Sequence, residues 1–274
     1  MSATDAGAVS DHELSLLAPE ERDAALAFVA QHPAGAGAPL AVVIPAYDEE
    51  ATVAEVIREI PTSAAGLAIE VIVVVDGARD GTAAEALTTD ALVCDVPVNR
   101  GQGAALKLGY WLARARGAEI ICTIDADGQY EAAEIASVVQ PILSGTADFV
   151  SGSRRLGSEL TTDRTRHLGV IVFGAILTLF TKHRITDPAC GLRAMKAEVT
   201  AAVTLEQRQY QASELQISAA LNGYRLGEVA TTMRDRDIHA GKTKKGGNLG
   251  YGISFARAAF RTYRRDRKAA RKRL

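Results

Sequence analysis

Between Leu40 and Ile124 four short aliphatic runs alternate with segments of helical period, and this alternation restricts the fold more than any other feature of the chain. The runs are "LAVVIP" (40–45), "IEVIVVV" (69–75), "ALVCDV" (91–96) and "AEIICTI" (118–124). Their hydrophobicity is continuous rather than alternating, which marks strands buried on both faces. Between the first two, Val53, Val56, Ile57 and Ile60 recur at i, i+3, i+4 and i+7, the spacing of a helix with one buried face. Helical stretches over 80–88 and 101–116 follow. Strand, helix, strand repeated at this length predicts right-handed crossovers and an α/β fold with a mostly parallel sheet covered on both sides. Pro45 is expected to stop the first strand.

Such a sheet gathers ligands at the carboxyl ends of its strands. The polar residues fall there: Tyr47 and Glu49 after the first run, Asp76 after the second, Asn99 after the third, Asp125 and Asp127 after the fourth. Any one of these is readable as turn or capping chemistry. Four separate segments that deliver polar groups to one rim point to a site.

The flanking regions are less regular. Pro19-Glu20-Glu21 opens a short helix to about Ala30, with proline in the first turn and acids at the positive end of the dipole. "QHPAGAGAP" (31–39) reads as a linker, so 1–39 is taken as an extension, 40–250 as the main domain and 251–274 as a basic tail. "ADFVSGSRR" is a later strand, "RLGEVATTM" (225–233) another, and a helix is expected from about Leu249 into the tail. "LGVIVFGAILTLF" (168–180) holds no charge over 13 residues. That is short of the roughly 20 residues a membrane-crossing helix needs. A core helix is the default for it, an interface-embedded helix the second reading.

Composition excludes several classes. At 274 residues and 47% hydrophobic content the chain can bury a sizeable core. Cys94, Cys122 and Cys190 are odd in number and widely spaced, which fits neither a disulfide framework nor a zinc site. The N-terminus has no basic lead with an apolar run, so a cytoplasmic protein is expected. The net charge of −2 conceals segregation: from Lys242 onward there are 12 basic residues and one acid, Asp266, against 19 basic and 32 acidic residues before it. The bland reading is a solvated helix; the sharper one is attraction to an anionic membrane surface, at the inner face. Nucleic acid is disfavoured, because the acidic remainder would repel it.

Two aspartates on alternate residues at a strand end suit a divalent cation with hard oxygen ligands, Mg2+ or Mn2+, whose shell is completed by phosphates and water. The alternative is a pair of turn acids. "NRGQGAALKLG" (99–109) has Gly101 and Gly103 but Leu106 at the third glycine position, and it does not follow the first strand, which disfavours a dinucleotide-binding dehydrogenase. Its small residues are read as letting a ligand or a helix come close to the backbone.

Together, seven segments in one order resemble the inverting family-two glycosyltransferases of the GT-A fold, and among them the dolichyl-phosphate mannose synthase-like branch, from about Leu40 to Tyr251. "VVIPAYDEE" (42–50) is similar to the family's first strand and nucleotide loop, "VVVDGARDGT" (73–82) to its Asp-Asp-Gly-Ser-x-Asp-Gly-Thr turn, "NRGQGAALKLG" to its Asn-x-Gly-x-Gly segment and "DADGQ" (125–129) to its metal motif. "SGSRR" (151–155), "TDPACGLRA" (186–194) and "GKTKKGGN" (241–248) resemble its Gly-Ser-Arg, Asp-x-x-x-Gly-Phe-Arg and Gly-x-Ser-Lys elements. The resemblance implies a Rossmann-like sheet with helices on the acceptor side toward the C-terminus. It implies that Pro45, Tyr47, Glu49, Asp76 and Gly103 line the donor's nucleoside side, that Asp125, Asp127 and Gln129 hold Mg2+ or Mn2+, and that Arg154, Arg193 and Lys244 bind phosphates. The sequence departs from the pattern at Val75 and Ala78, which replace an aspartate and a serine, at Asp48, where Asn is usual, and at Ile238, where the family has an arginine; Arg236 or His239 stands nearby. The expected activity is transfer of a hexose from a UDP- or GDP-linked sugar to a polyprenyl phosphate, with inversion. The other readings are transfer to a soluble hydroxyl acceptor, for which Asp187 or Glu214 is the candidate base, and a silent nucleotide-binding scaffold.

Overall fold

The computed structural model describes residues 11–159, 164–207, 210–234 and 248–273. Its centre is a sheet of β1 (Leu40–Ala46), β2 (Ser63–Ala64), β3 (Leu67–Asp76), β4 (Leu92–Val96), β5 (Ile120–Thr123), β6 (Phe149–Glu159), β7 (Arg193–Lys196) and β8 (Leu226–Met233). The strands run in the order β2-β3-β1-β5-β7-β6-β8, with β4 also on β3. β4, β3, β1 and β5 are mutually parallel, as their apolar runs predict. β7 runs antiparallel to both β5 and β6, and β8 is parallel to β6.

The helices are α1 (Asp11–Ser15), α2 (Pro19–Gln31), α3 (Val53–Glu59), α4 (Thr82–Ala86), α5 (Gln102–Arg116), α6 (Ile135–Leu143), α7 (Arg164–Thr181), α8 (Ala197–Ala202), α9 (Gln211–Leu221) and α10 (Asn248–Arg273). Successive strand residues point to opposite faces. Val42, Ile44, Val73 and Val75 accordingly pack with Val56 and Ile57 of α3 and Val138 and Val139 of α6, while Ala41, Val43, Ile72 and Val74 pack with Leu106 and Leu112 of α5 and Leu215 of α9. Two covered faces explain why the strands carry no polar alternation. Each fully buried aliphatic side chain there contributes about 1.5–3 kcal/mol.

Two expectations are corrected by geometry. Pro45 lies inside β1 rather than ending it, paired with Val74. The ladder of β1 to β5 ends at Val43, whose carbonyl accepts from Ile124 N, so Pro45, two residues on, turns its missing N–H to the side where β5 has stopped. The 168–180 run is a helix, but only part of it is core: Leu177 is buried while Leu179 is 76% exposed.

α1 and α2 are built into the second face of the core. Leu17, Ala25 and Phe28 join the cluster around α5, and Arg114 of α5 reaches Glu13 at 2.5 Å and Thr200 at 2.8 Å. At the far end, α10 is anchored on α9 by Arg265, which bonds Glu214 at 2.9 Å and Asp266 at 2.7 Å, and by the hydrogen bond from Ser218 to Asp266. Burial raises the Glu214 carboxyl, opposed by the amides of Gln207 and Glu206 and by Arg265.

Asp148 ties three strands at the sheet's lower edge. It accepts from Arg225 Nε and Nη2, both at 2.9 Å, and meets Lys196 Nζ at 2.8 Å. The Arg225 guanidinium, with Lys196, holds this carboxyl well below the usual carboxylate range. A carboxyl depressed in the folded state contributes stability that is full above its unfolded value of 3.8 and lost as pH falls through the folded value. Asp148→Asn is therefore expected to cost about 1 kcal/mol at pH 7, since Arg225 is half exposed. The gap to the parent should shrink as pH falls below about 4, read from urea midpoints at each pH.

Candidate functional site

The carboxyl ends of β1, β3, β4 and β5 form one rim, and the loops that leave them are tied to one another. Asp76, at the end of β3 and 4% exposed, accepts Arg100 N at 2.8 Å and Gly101 N at 2.7 Å, so both its oxygens hold the turn that opens α5. After β1, Asp48 has φ 52, in the left-handed region where Asn and Asp are enriched. Its carboxylate accepts Arg79 N at 2.9 Å and Arg79 Nη2 at 2.5 Å, and the Arg79 guanidinium stands 5.6 Å over the Tyr47 ring. Glu49 N donates to Thr82 Oγ1 at 2.8 Å. Arg79 is a rim residue that sequence reasoning passed over, because "GARDG" reads as plain turn chemistry. Val75 is 1% exposed in the α3-side core. A hydrophobic residue there is packed like its neighbours, and Arg79 supplies the polar group at that turn.

The acidic end of β5 is the centre of the rim. Asp125, Asp127 and Gln129 are half-buried, while Ile124, Ala126 and Tyr130 are buried. Thr52 Oγ1 fixes the turn by donating to Ala126 O at 2.8 Å. Asp127 accepts Gln129 N at 3.3 Å, and Gln102 Nε2 donates to Asp125 Oδ1 at 2.9 Å. Gln129 Nε2 faces Arg234 O at 3.3 Å, so the amide oxygen is its remaining ligand atom.

β7 brings the second half of the site to this point. Because β7 runs against β5, Arg193 lies opposite Thr123, and the segment before it passes beneath Asp125. Thr123 Oγ1 donates to Gly191 O at 2.9 Å, and Gly191 N donates to Tyr130 Oη at 2.8 Å. A Cβ on Gly191 would collide with Asp125 Oδ2 and stand 2.9 Å from the Tyr130 ring. Only glycine leaves room for that carboxylate. Gly191→Ala is expected to displace Asp125 and lower turnover by about 10²-fold, measured as kcat at saturating divalent cation; an unchanged kcat would show that Asp125's seat is not needed.

Two further groups line this wall. Arg193 is 2% exposed, its Nε donates to Cys190 O at 2.6 Å, and its Nη1 has no hydrogen-bond partner among the described residues. The Tyr110 hydroxyl is likewise buried without a partner, within electrostatic reach of Arg193 and Asp125, and burial pushes it up to about 12. An unsatisfied buried guanidinium N–H is costly, and a ligand oxygen would relieve it. Arg154 and Asp187 are placed differently: they form a buried ion pair, Nε to Oδ2 at 2.5 Å and Nη2 to Oδ1 at 2.6 Å, with side chains 2% and 0% exposed. Asp187 also accepts Arg154 N and Ala189 N, and Glu228 accepts Thr186 N and Asp187 N. This network holds the 186–191 segment against the sheet.

The remaining expected site residues are distributed as follows. Pro45 is within β1 and Tyr47 just beyond it. Gly103 faces protein, since a Cβ there would collide with Gln207 O, the approach of the chain leading into α9. Glu214 is buried beside Arg265. Lys244, with Arg236, Ile238 and His239, lies outside the described residues. Cys94, Cys122 and Cys190 are free and buried, and burial pushes the Cys94 and Cys190 thiols up to about 12.

Among the described residues no three His, Cys, Asp or Glu side chains gather at one point. What this strand end offers is two carboxylates and an amide oxygen within five residues, with Arg193 of the neighbouring β7 opposite Thr123. This donor set fits Mg2+ or Mn2+, which take hard oxygens and leave positions for phosphate and water.

With this geometry in view, comparison with known proteins is informative. The sequence profile described as glycosyl transferase family 2 matches residues 41–204. A UDP-N-acetylglucosamine–dolichyl-phosphate N-acetylglucosaminyltransferase of Methanococcus voltae is 28% identical over 210 residues, 69% of this chain and 82% of that one. A dolichyl-phosphate hexose transferase of Haloferax volcanii is 30% identical over 205 residues, 75% and 86% of the two chains. Among solved structures, glucosyl-3-phosphoglycerate synthase from Mycobacterium tuberculosis, in complex with Mn2+, UDP and phosphoglyceric acid, superposes with a TM-score of 0.62 at 21% identity, covering 87% of this chain and 82% of that one. That likeness establishes the fold.

Proposed function

Because the chain belongs to glycosyl transferase family 2 and is a glycosyltransferase of GT-A fold, we propose that it transfers a hexose from a UDP- or GDP-linked sugar to a polyprenyl phosphate, with inversion, at the cytoplasmic face of a membrane. The observation that carries this reading is the seating of Asp125 over Gly191 at the tip of β5, with Asp127 and Gln129 in the same turn and Arg193 on the neighbouring strand. Relatives named for dolichyl-phosphate acceptors support the acceptor class. A structural neighbour crystallised with Mn2+ and UDP supports the donor class and the metal.

The roles follow from position. Tyr47, Glu49, Asp76 and Arg79 belong to the loops that would enclose the nucleoside. Asp125, Asp127 and Gln129 would hold the divalent cation, which when bound offsets the charge of the donor diphosphate as it departs. Without a cation, two carboxylates beside a diphosphate repel it. Arg193, held by Cys190 O on the strand next to β5, would bond an anionic oxygen of the donor with charge assistance. A phosphate monoester acceptor has its second pKa near 6, so at neutral pH it is already an anionic nucleophile and needs no general base. That agrees with the surroundings of Asp187, whose two oxygens face Arg154, and of Glu214, which faces Arg265.

The test is incubation of purified protein with UDP- and GDP-sugars, Mn2+ or Mg2+, and either a short-chain polyprenyl phosphate or phosphoglyceric acid, with the product's anomeric configuration read by NMR. The expected product is a lipid-linked sugar of inverted configuration, formed only with a divalent cation. Transfer to the water-soluble acceptor alone would overturn the lipid reading. Arg154→Lys and Glu214→Gln are not needed for this distinction, because the donor and the site are common to both outcomes.

A further inference from the structure

Two helices remote from the catalytic rim form a surface that the transfer reaction does not explain. α7 and α10 lie side by side: Phe173 stacks on Phe255 with centroids 4.0 Å apart, and Phe180 on Tyr263 at 4.6 Å. α7 turns Leu177 and Thr181 inward and Phe173, Ile176 and Phe180 toward α10. The remaining arc, Ile171, Val172, Ala175 and Leu179, is exposed, with Val172 at 48% and Leu179 at 76%. By helical spacing Val172 and Leu179 border α10, while Ile171 and Ala175 border the opposite flank. On the α10 side the arc continues through Phe260, which is 51% exposed and lies 6.5 Å from Phe180. On the other flank a groove of about 510 Å3 opens between α7 and β6, lined by Leu156, Ile171, Ala175 and Leu179 with Arg155 and Arg184 at its edges.

Cations frame this apolar arc. Arg257, Arg261, Arg264, Arg267, Lys268 and Arg271 occupy the exposed face of α10, and Lys182 follows the end of α7. α7 contains no acid, and the one acid of α10, Asp266, is buried against Ser218 and Arg265, so among the described residues the exposed face of these two helices carries cations alone. Single exposed aliphatics are normal on a protein surface. A contiguous apolar stripe bordered by Lys and Arg is the pattern of a helix lying in a membrane interface. Nucleic acid would use the cations and leave the aliphatic arc in water. A second copy of the chain meeting this face about a twofold axis would set the cations against each other.

We infer that the α7–α10 face docks on an anionic bilayer, with Ile171, Val172, Leu179 and Phe260 entering the headgroup boundary and the α10 cations meeting lipid phosphates. The inference rests on the lipid-acceptor reading for its purpose, and it extends that reading to where the protein sits. Thr186 lines this groove and is followed in the chain by Asp187 of the buried pair that holds the 186–191 segment.

The test is co-sedimentation of the full chain with phosphatidylcholine vesicles, with and without phosphatidylglycerol, for the parent, Leu179→Asp, and the double change Arg261→Gln with Arg264→Gln. The parent is expected to pellet with the anionic vesicles. The double change should weaken binding about 25-fold, roughly fivefold per cation, and salt should mimic it. Leu179→Asp should abolish binding while keeping the parental circular dichroism and parental transfer to a detergent-dispersed short-chain polyprenyl phosphate. A parent that stays in the supernatant at low salt, variants that bind like the parent, tighter binding to DNA than to vesicles, or a dimer in sedimentation that Leu179→Asp dissociates would each overturn the docking face. A parent that binds vesicles through this face but glycosylates no polyprenyl phosphate would leave the face standing and overturn the acceptor reading.

Discussion

Asp127→Ala is expected to lower metal-dependent turnover by about 10²–10³-fold or more, the usual scale when one preorganised electrostatic contribution to a transition state is removed. The change should hardly alter the fold. Asp127 is half-buried and bonds the amide of Gln129 within its own turn, and the core residues on either side, Ala126 and Tyr130, are untouched. The two effects separate in a thermal-shift experiment. Without ligand the parent and variant should melt within a few degrees of each other. Addition of Mn2+ with a nucleoside diphosphate should raise the parent's melting temperature, because a ligand that binds the native state stabilises it in proportion to the logarithm of its concentration over Kd. The variant's shift should vanish. Asp125→Ala should behave alike, with loss of the bond to Gln102 as an added local cost. Turnover by Asp127→Ala at the parental rate, with the same metal dependence, would remove the cation from this end of β5.

Breaking the Arg154–Asp187 pair from one side is the change expected to cost most in stability. Both side chains are buried and joined by two short bonds, so Arg154→Met leaves an uncompensated carboxylate and should destabilise the protein by about 3–5 kcal/mol. Asp187→Asn should cost less, because an amide oxygen still accepts one of the two bonds. The double change Arg154→Met with Asp187→Leu should recover much of the loss, and a double-mutant cycle in urea gives the coupling directly. The same experiment decides between two roles for Asp187. A positioning role predicts that activity falls with stability and returns, in part, in the stabilised double variant. A general-base role predicts that Asp187→Asn folds nearly as well as the parent yet transfers no sugar.

The parts of the fold that were legible in the sequence are those where one physical cause dominates. β1, β3 and β5 read clearly because burial on two faces demands aliphatic runs, β4 more weakly because Asp95 interrupts its run and is exposed, and α3 and α5 because one buried face imposes a helical period. α9 was hidden by its own packing. Gln211, Ser213, Glu214, Gln216 and Ser218 are all buried, and Glu214 and Ser218 bond Arg265 and Asp266 of a helix some 50 residues later, so apolar periodicity is absent. β7 is four residues long with a cation at each end and carries no strand signal. α7 misleads in the other direction, since its uncharged run satisfies both a core and an exposed apolar arc.

For the site, the strand-end aspartates were visible because carboxylates following an apolar run call for an explanation. The seat beneath them was not, because Gly191 reaches Asp125 only through the reversed direction of β7, and the crosslink of Arg79 to Asp48 joins two turns whose composition looks ordinary. The N-terminal stretch, taken from the sequence as an extension with a short helix, packs against α5, where Leu17, Ala25 and Phe28 join the same core.

The reversal of β7 has a bearing on how occupancy of the site can be detected. The segment that leads into it hangs from Thr123 and Tyr130 through Gly191, so whatever stiffens the tip of β5 also stiffens a stretch of chain more than sixty positions downstream. The amide of Gly191, bonded to the Tyr130 hydroxyl, thus serves as a built-in reporter: its deuterium uptake should slow when donor fills the pocket, and peptides spanning the opposite edge of the sheet should exchange as before.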